Sequence, residues 1–340
     1  MQETVHAGIV PKNGYDEKKE NFVTLRIGLI GAGTHGMRYL RHAKNDVPGM
    51  EPVMLCNRNA ENAQKYAQEI GCGFTTNPAE LIDKVDAVIV CTPPSSHFEL
   101  GKMVIDSGKP LLIEKPFTGT LPEAELLHAE NSGSPIPLML AQTLRWNPVL
   151  QQVALLWEKL GTVHHIRVVQ RLEPTSLAWQ KDKSVTVGGS VLLTGVHMID
   201  TVRFLTDKEF IDVDHWQDNI LNPVVEDFFL TRATLDDGCK VSMEVSKYTQ
   251  SRTCLLEAVG TNGSLEADYL YGGITLKIGS DIEKFDIDAS APTLPGVLES
   301  WLNCALGYCP PPVTSLDGVK SLEVIDGCYA SFQSRSLVKL

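Results

Sequence analysis

The sequence predicts an α/β protein in two parts: an N-terminal doubly wound parallel sheet, then a C-terminal α+β domain with a large, mainly antiparallel sheet. Three observations carry this. Short apolar runs alternate with helix-length amphipathic stretches up to Pro148, the rhythm of parallel strands joined by crossover helices. That rhythm then breaks, and strand pairs joined by tight turns take over. Finally, 340 residues with 43% hydrophobic and 21% charged side chains make two ordinary domains at ~100–200 residues each. Such a chain buries ~75% of its unfolded surface and needs no disulfide or metal staple.

The polar residues 1–23 read as a flexible leader,. Apolar runs at 25–30, 52–56, 86–91, 111–114 and 137–141 then read as strands, nearly continuous in hydrophobicity because a parallel sheet is covered on both faces. Between them, 61–70, 99–107 and 121–131 carry helical spacing, the second closed by Gly108. Past Pro148 a helix is expected to Leu160, a strand at 163–170, and a helix at 191–205 preceded by Gly188-Gly189. Beyond Asp207 strands dominate. Those at 228–235 and 239–245 flank Asp236-Asp237-Gly238, and those at 255–259 and 264–267 flank Thr261-Asn262-Gly263; both are hairpin turns. The tail, 315–332, returns to helical spacing. The domain boundaries expected are thus 24–148 and 149–340.

Composition excludes several function classes. Thirty Lys+Arg against 42 Asp+Glu leave a net charge of −12, and no basic stripe interleaves with aromatics, which argues against nucleic acid. No apolar run approaches the ~20 residues of a membrane span, and the N-terminus lacks the basic and apolar regions of a secretory signal. Eight cysteines at 56, 72, 91, 239, 254, 304, 309 and 328 form no C-x-x-C pair. Reduced thiols in a cytoplasmic protein are expected. Cys304 and Cys309 can approach one another on a helix, but zinc needs more ligands. His164 and His165 have no carboxylate or thiol at metal spacing, so no metal is expected.

The most informative stretch is Gly31-Ala32-Gly33-Thr34-His35-Gly36. It is G-x-G-x-x-G directly after a strand and before a helix, the phosphate-binding turn of a Rossmann domain. Gly31 permits the tight turn, Gly33 lets backbone approach a pyrophosphate, and Gly36 allows close helix–strand packing. A glycine-rich turn without a ligand is the alternative. Gly31, Gly33, Thr34, His35 and Gly36 are accordingly assigned to the cofactor. At the end of the second strand stand Asn57 and Arg58, with no carboxylate to take a ribose 2′-OH. This favours NADP over NAD, although Arg58 can also solvate the next helix or stack on adenine. Thr92, Pro93 and His97 follow a strand end and are placed along the cofactor.

At Glu114-Lys115-Pro116 a family pattern emerges. GAGTHG at 31–36, Thr92-Pro93-Pro94 with His97, EKP at 114–116, Arg145-Trp146-Asn147-Pro148, Gly188-Gly189 with Gly195-Val196-His197-Met198-Ile199-Asp200, and Glu226-Asp227 occur in the same order as in the Gfo/Idh/MocA oxidoreductases. The chain resembles that family from about Leu25 to its C-terminus. The resemblance implies hydride transfer between a nicotinamide and a sugar, polyol or related carbonyl compound. It also implies homodimers or homotetramers built largely through the outer face of the C-terminal sheet. Lys115 resembles the family's active-site lysine, with Glu114 beside it among the cofactor contacts. His197 resembles its acid/base histidine, and imidazole suits proton transfer near neutrality. Asp200, three residues on, is expected to support the helix or the ring.

Arg145, where the chain leaves the first domain, is a candidate for an anionic substrate or an ion pair. Trp179 can wall the substrate site or simply pack. Thr194 is placed with the substrate, while neither it nor Ser190 has the elbow and base of a hydrolase nucleophile. One departure stands out: the family's Asp four residues before the histidine is Leu193 here. The alternative reading is therefore a non-catalytic dinucleotide-binding sensor or partner subunit.

Overall fold

The computed structural model of the protein describes residues 23–133 and 135–340. The leader expected at 1–23 lies, Val23 apart, outside the described residues. Strand β1 (Leu25–Ile30) leads to α1 (Thr34–Asn45), β2 (Met50–Cys56), α2 (Ala60–Ile70), β3 (Gly73–Thr75), α3 (Pro78–Lys84), β4 (Ala87–Val90), α4 (His97–Asp106), β5 (Leu111–Glu114), α5 (Leu121–Gly133) and β6 (Leu138–Ala141). Then come α6 (Pro148–Leu156), β7 (Val163–Arg171), the single-turn α7 (Lys183–Thr186) and α8 (Val196–Thr206). Strands β8 (Phe210–Asp218), β9 (Phe228–Leu235), β10 (Lys240–Ser246), β11 (Thr253–Gly260), β12 (Gly263–Asp268), β13 (Gly273–Ile278) and β14 (Asp281–Asp286) follow. Helices α9 (Leu294–Ala305) and α10 (Ser315–Ser334) and the short β15 (Val338–Lys339) complete the chain.

The described chain divides into two compact units: 23–143 with Thr293–Gly318, and Leu144–Pro292 with Val319–Leu340. The sequence assigned all of 149–340 to one domain; the difference is the return of Thr293–Gly318 to the first unit. There α9 packs on α1, burying Val297 and Trp301 completely. An amphipathic helix announces its apolar face but not which sheet that face will cover.

The first unit holds six strands in the order β3-β2-β1-β4-β5-β6, all parallel. Every residue of β4, β5 and β6 is buried, as two-sided coverage requires. Asn59 and Asn77 cap α2 and α3 by accepting from Asn62 N–H and Ala79 N–H,. β3 and α3 were not foreseen. β3 has three residues, of which only Thr75 is buried, too few for an alternation to register.

The second unit's sheet runs β14-β13-β12-β11-β7-β10-β9-β8-β15. Only β7 and β10 pair in parallel; the other neighbours are antiparallel. Both expected hairpins form, with Gly238 at φ +91 in the first. β9 to β11 bury alternate residues, so one face lies on the core. The edge strand β14 carries exposed Glu283 and Lys284, a charge pattern that discourages further pairing. The stretch Lys183–Thr206 is apolar enough to pass a length and hydropathy test for a membrane span, which the sequence reading did not expect. However, 83% of its apolar window is buried inside the protein, as in a core helix.

Candidate active site

In the first unit, strand order reverses between β1 and β4, and ligands bind outside the strand ends at such a point. The glycine loop leaves β1 there, Thr92 follows β4, and Lys115 follows β5. Gly31 has φ +100, and a Cβ on it would stand 2.4 Å from the Cys91 carbonyl oxygen. A Cβ on Gly36 would stand 2.4 Å from the Gly31 oxygen, whereas one on Gly33 would meet nothing within 4 Å. Helix α1 begins at Gly33 without a side-chain cap and with no acidic residue in its first turn. Its first N–H groups and positive dipole end are thus available to an anion such as a pyrophosphate. The residues present fit a dinucleotide. Asn57 ties β2 to this loop, its Nδ2 donating to Ala32 O at 2.6 Å and its Oδ1 accepting from Asn59 N–H. Arg58 beside it is exposed.

Glu114 is buried at the end of β5. Its Oε1 lies 2.7 Å from His35 Nε2 and accepts from Tyr39 OH at 2.5 Å, while Oε2 accepts from Lys115 N–H at 3.0 Å. Burial alone would raise its pKa. The His35 hydrogen bond and charge, Lys115 and Tyr39 outweigh that and hold it at about 2. Both oxygens accept hydrogen bonds inside the protein, tying the end of β5 to the first turns of α1, a use that its placement among the cofactor contacts did not foresee. Lys115 is half-buried, joined to Pro116 by a cis peptide. Burial lowers its pKa, while Glu114 and Cys91 oppose the fall.

His97 also departs from expectation. It is fully buried, with Nδ1 2.8 Å from Pro116 O and Nε2 2.8 Å from Thr92 O. Placed between two carbonyls, it clips the loops after β4 and β5 together and presents no nitrogen to a ligand. His35, Cys91 and Glu114 bring donor atoms within 4.8 Å of one another. The His35–Glu114 contact is already a hydrogen bond, and burial pushes the Cys91 thiol well above its usual pKa. That chemistry suits a hydrogen-bonded cluster better than a metal site.

In the second unit, Val191–Gly195 forms a π-turn that runs straight into α8, an irregularity found often at functional sites. Val187 just before it has φ +65, a strained value for a β-branched residue. Gly189 is required: a Cβ there would fall 2.1 Å from Glu226 O. Leu193 and Thr194 are buried in the π-turn, and His197 is half-buried on the first turn of α8. Arg145 is not left for a substrate. Its Nε and one terminal nitrogen donate to Asp200 at 2.9 and 2.7 Å, both side chains being buried, and Phe204 lies under the guanidinium. Asp200 therefore serves this ion pair instead of the His197 ring. A cavity of about 330 Å³ lies beside the π-turn, lined by Ser190 and Leu193 among others. Trp179 is half-buried on the turn Ala178–Lys181, whose Gln180 and Lys181 line that cavity. Sequence reasoning missed Tyr39, which stands in no motif and donates to Glu114 Oε1.

A family model described as the oxidoreductase family with an NAD-binding Rossmann fold matches residues 25–133, and the GFO/IDH/MocA C-terminal domain matches 154–266. The 4-carboxy-2-hydroxymuconate-6-semialdehyde dehydrogenase of Sphingobium sp. is 33% identical over 132 residues, a match covering 38% of this chain and 42% of that protein. D-apiose dehydrogenase of Paraburkholderia graminis is 25% identical over 92% of this chain and 88% of its own. Among solved structures, GenD2 from gentamicin A biosynthesis, in complex with NAD, superposes with a TM-score of 0.85. At 22% identity, over 96% of this chain and 99% of that one, the likeness speaks for the fold.

Proposed function

Because the chain belongs to the Gfo/Idh/MocA oxidoreductases, we propose that it moves hydride between a nicotinamide and the carbinol or carbonyl carbon of a sugar, polyol or sugar derivative. The observation that carries this is the grouping at the strand ends of the first sheet. An open glycine loop, an uncapped helix N-terminus and a lysine positioned by a buried carboxylate stand together there. The similarity to D-apiose dehydrogenase supports a sugar-like substrate. When bound, the nicotinamide supplies the hydride acceptor or donor. The Gly31–Gly36 loop holds the pyrophosphate. Asn57 and Arg58, without a carboxylate beside them, support NADP in preference to NAD. Lys115 holds a positive charge at the substrate oxygen, where negative charge grows as the C–H bond breaks. His197 takes the hydroxyl proton in oxidation and returns it in reduction. Eight free cysteines fit a reducing, cytoplasmic setting.

Leu193 favours a second reading, a dinucleotide-binding protein without turnover, since it puts an apolar side chain where relatives are expected to carry an acid. Calorimetric titration of the purified protein with NADPH and NADH, followed by a sugar and polyol screen, separates the two. Binding with turnover is expected, and Lys115→Ala should then cut kcat by about a hundredfold or more with cofactor affinity little changed. Binding without turnover on any polyol selects the sensor; binding of neither cofactor overturns both.

A further inference from the structure

Two thiols meet at the C-terminal end of α9. Cys304 is buried on the last turn of that helix, and Cys309 is exposed just beyond it. Their Sγ atoms lie 3.7 Å apart, in contact but unbonded. Backbone hydrogen bonds fix the turn between them. Leu306 N–H donates to Leu302 O at 3.0 Å, Gly307 N–H to Cys304 O at 3.0 Å and Tyr308 N–H to Asn303 O at 2.8 Å. Gly307 takes φ +77, the left-handed conformation that closes many helices, and Pro310-Pro311-Pro312 stiffens the chain that follows,. The chain thus doubles back over the end of α9 and carries the second sulfur onto the first.

The two thiols differ in access. Of the eight cysteines Cys309 alone is exposed, and the others are buried or half-buried. Burial first, and then the neighbouring Cys309 sulfur, push the Cys304 thiol up to about 12, so it seldom ionises by itself. A dissolved disulfide therefore reaches Cys309 and not Cys304. Once Cys309 has reacted, Cys304 stands against it, and such proximity makes up for a weakly ionised thiol.

We propose that Cys304 and Cys309 form a reversible redox modification site whose oxidant is a low-molecular-weight disulfide such as glutathione disulfide. The Cys309 thiolate attacks one glutathione sulfur. A bond forms between them, the glutathione S–S bond breaks, and one glutathione leaves and takes up a proton. Cys304 then gives its proton to water and attacks Cys309 Sγ. The Cys304–Cys309 bond forms, and the second glutathione leaves and takes up a proton. Two protein thiols lose two electrons and two protons, and glutathione disulfide is reduced to two glutathiones.

Trypsin yields one peptide, 285–320, that contains these two cysteines and no other. The native protein is equilibrated with glutathione disulfide over a range of glutathione concentrations, alkylated, digested and weighed. The peptide should be two hydrogens lighter and carry no alkyl group, and dithiothreitol should restore both thiols. The equilibrium constant for closing should be about tenfold larger in the native protein than in urea, because the folded turn raises the effective concentration of one thiol at the other. Cys304→Ser should stop with glutathione held on Cys309. In Cys309→Ser, glutathione should reach Cys304 at least tenfold more slowly than it reaches Cys309 in the other variant. Two free thiols throughout, glutathione that stays on Cys309 in the wild type, a disulfide between two chains, or an equal closing constant with and without urea overturns the proposal.

Discussion

Taking a carboxylate out of water costs several kcal/mol unless protein groups replace the lost hydration, and for Glu114 they do. His35, Tyr39 and the Lys115 N–H all meet it. Its folded pKa of about 2 lies below the ordinary 4.5. Folding therefore gains from the ionised form above about pH 4.5, and that gain is lost as pH falls toward 2. Glu114→Gln should lower the unfolding free energy at pH 7 by about 3 kcal/mol. In urea titrations its deficit against the wild type should shrink steadily below pH 4.5. An equal deficit at pH 7 and pH 3 would mean that the carboxylate charge is not what the cluster stabilises. The EKP motif made Glu114 and Lys115 visible in the sequence, but their partners were not. His35 and Glu114 are 79 residues apart, and Arg145 and Asp200 are 55 apart. Such pairs arise only when the sheet or helix packing brings two elements together, and no local period records them.

The passage from β1 into α1 uses two glycines for different reasons, and substitution can separate them. At Gly36 an added Cβ meets backbone, the Gly31 oxygen at 2.4 Å, while at Gly33 it meets nothing within 4 Å. Gly36→Ala should therefore force α1 away from β1 and cost about 2–4 kcal/mol of stability, the range of core overpacking and backbone strain. Gly33→Ala should cost about 1 kcal/mol or less, as a lost N-cap preference, yet weaken NADPH or NADH at least tenfold by filling the space meant for the pyrophosphate. Melting curves and calorimetry on the two variants check both halves. If Gly33→Ala binds cofactor as the wild type does, the phosphate does not lie against this loop. Elements of this kind were the legible part of the fold. The strands of the first sheet are continuous apolar runs, and the hairpins carry glycine turns. The π-turn at Val191–Gly195 was hidden because it keeps a helical hydrophobic pattern while changing the backbone bonding. β13 and β14 meet at Gly279-Ser280, a two-residue turn signal present in the sequence but passed over because the exposed β14 has no apolar alternation to go with it,, and α9 gave no hint that it would join the first unit.

At the scale of the whole molecule, the outward face of the second sheet is unusually apolar for a surface. Trp216 is 54% exposed and Leu230 41%, and they stand directly opposite one another on β8 and β9. Phe228 packs edge-on against Trp216 at 5.5 Å and reaches Tyr248 at 6.1 Å. Around them Arg232–Asp214 and Arg171–Glu244 pair within the same sheet, giving an apolar centre with a charged rim, the anatomy of a protein interface. This supports a homodimer or homotetramer formed through this face. A single exposed salt bridge contributes little, so the association would rest on the aromatic centre, where burying one tryptophan can contribute about 2 kcal/mol or more. Trp216→Glu with Leu230→Glu should place a carboxylate on each side of that centre and shift sedimentation from an oligomer to a monomer. Cofactor titration should be unaffected, because the dinucleotide residues all lie in the first unit. A wild-type protein that sediments as a monomer at micromolar concentration would overturn the assignment of this face. An oligomer unmoved by both glutamates would place its interface on another surface.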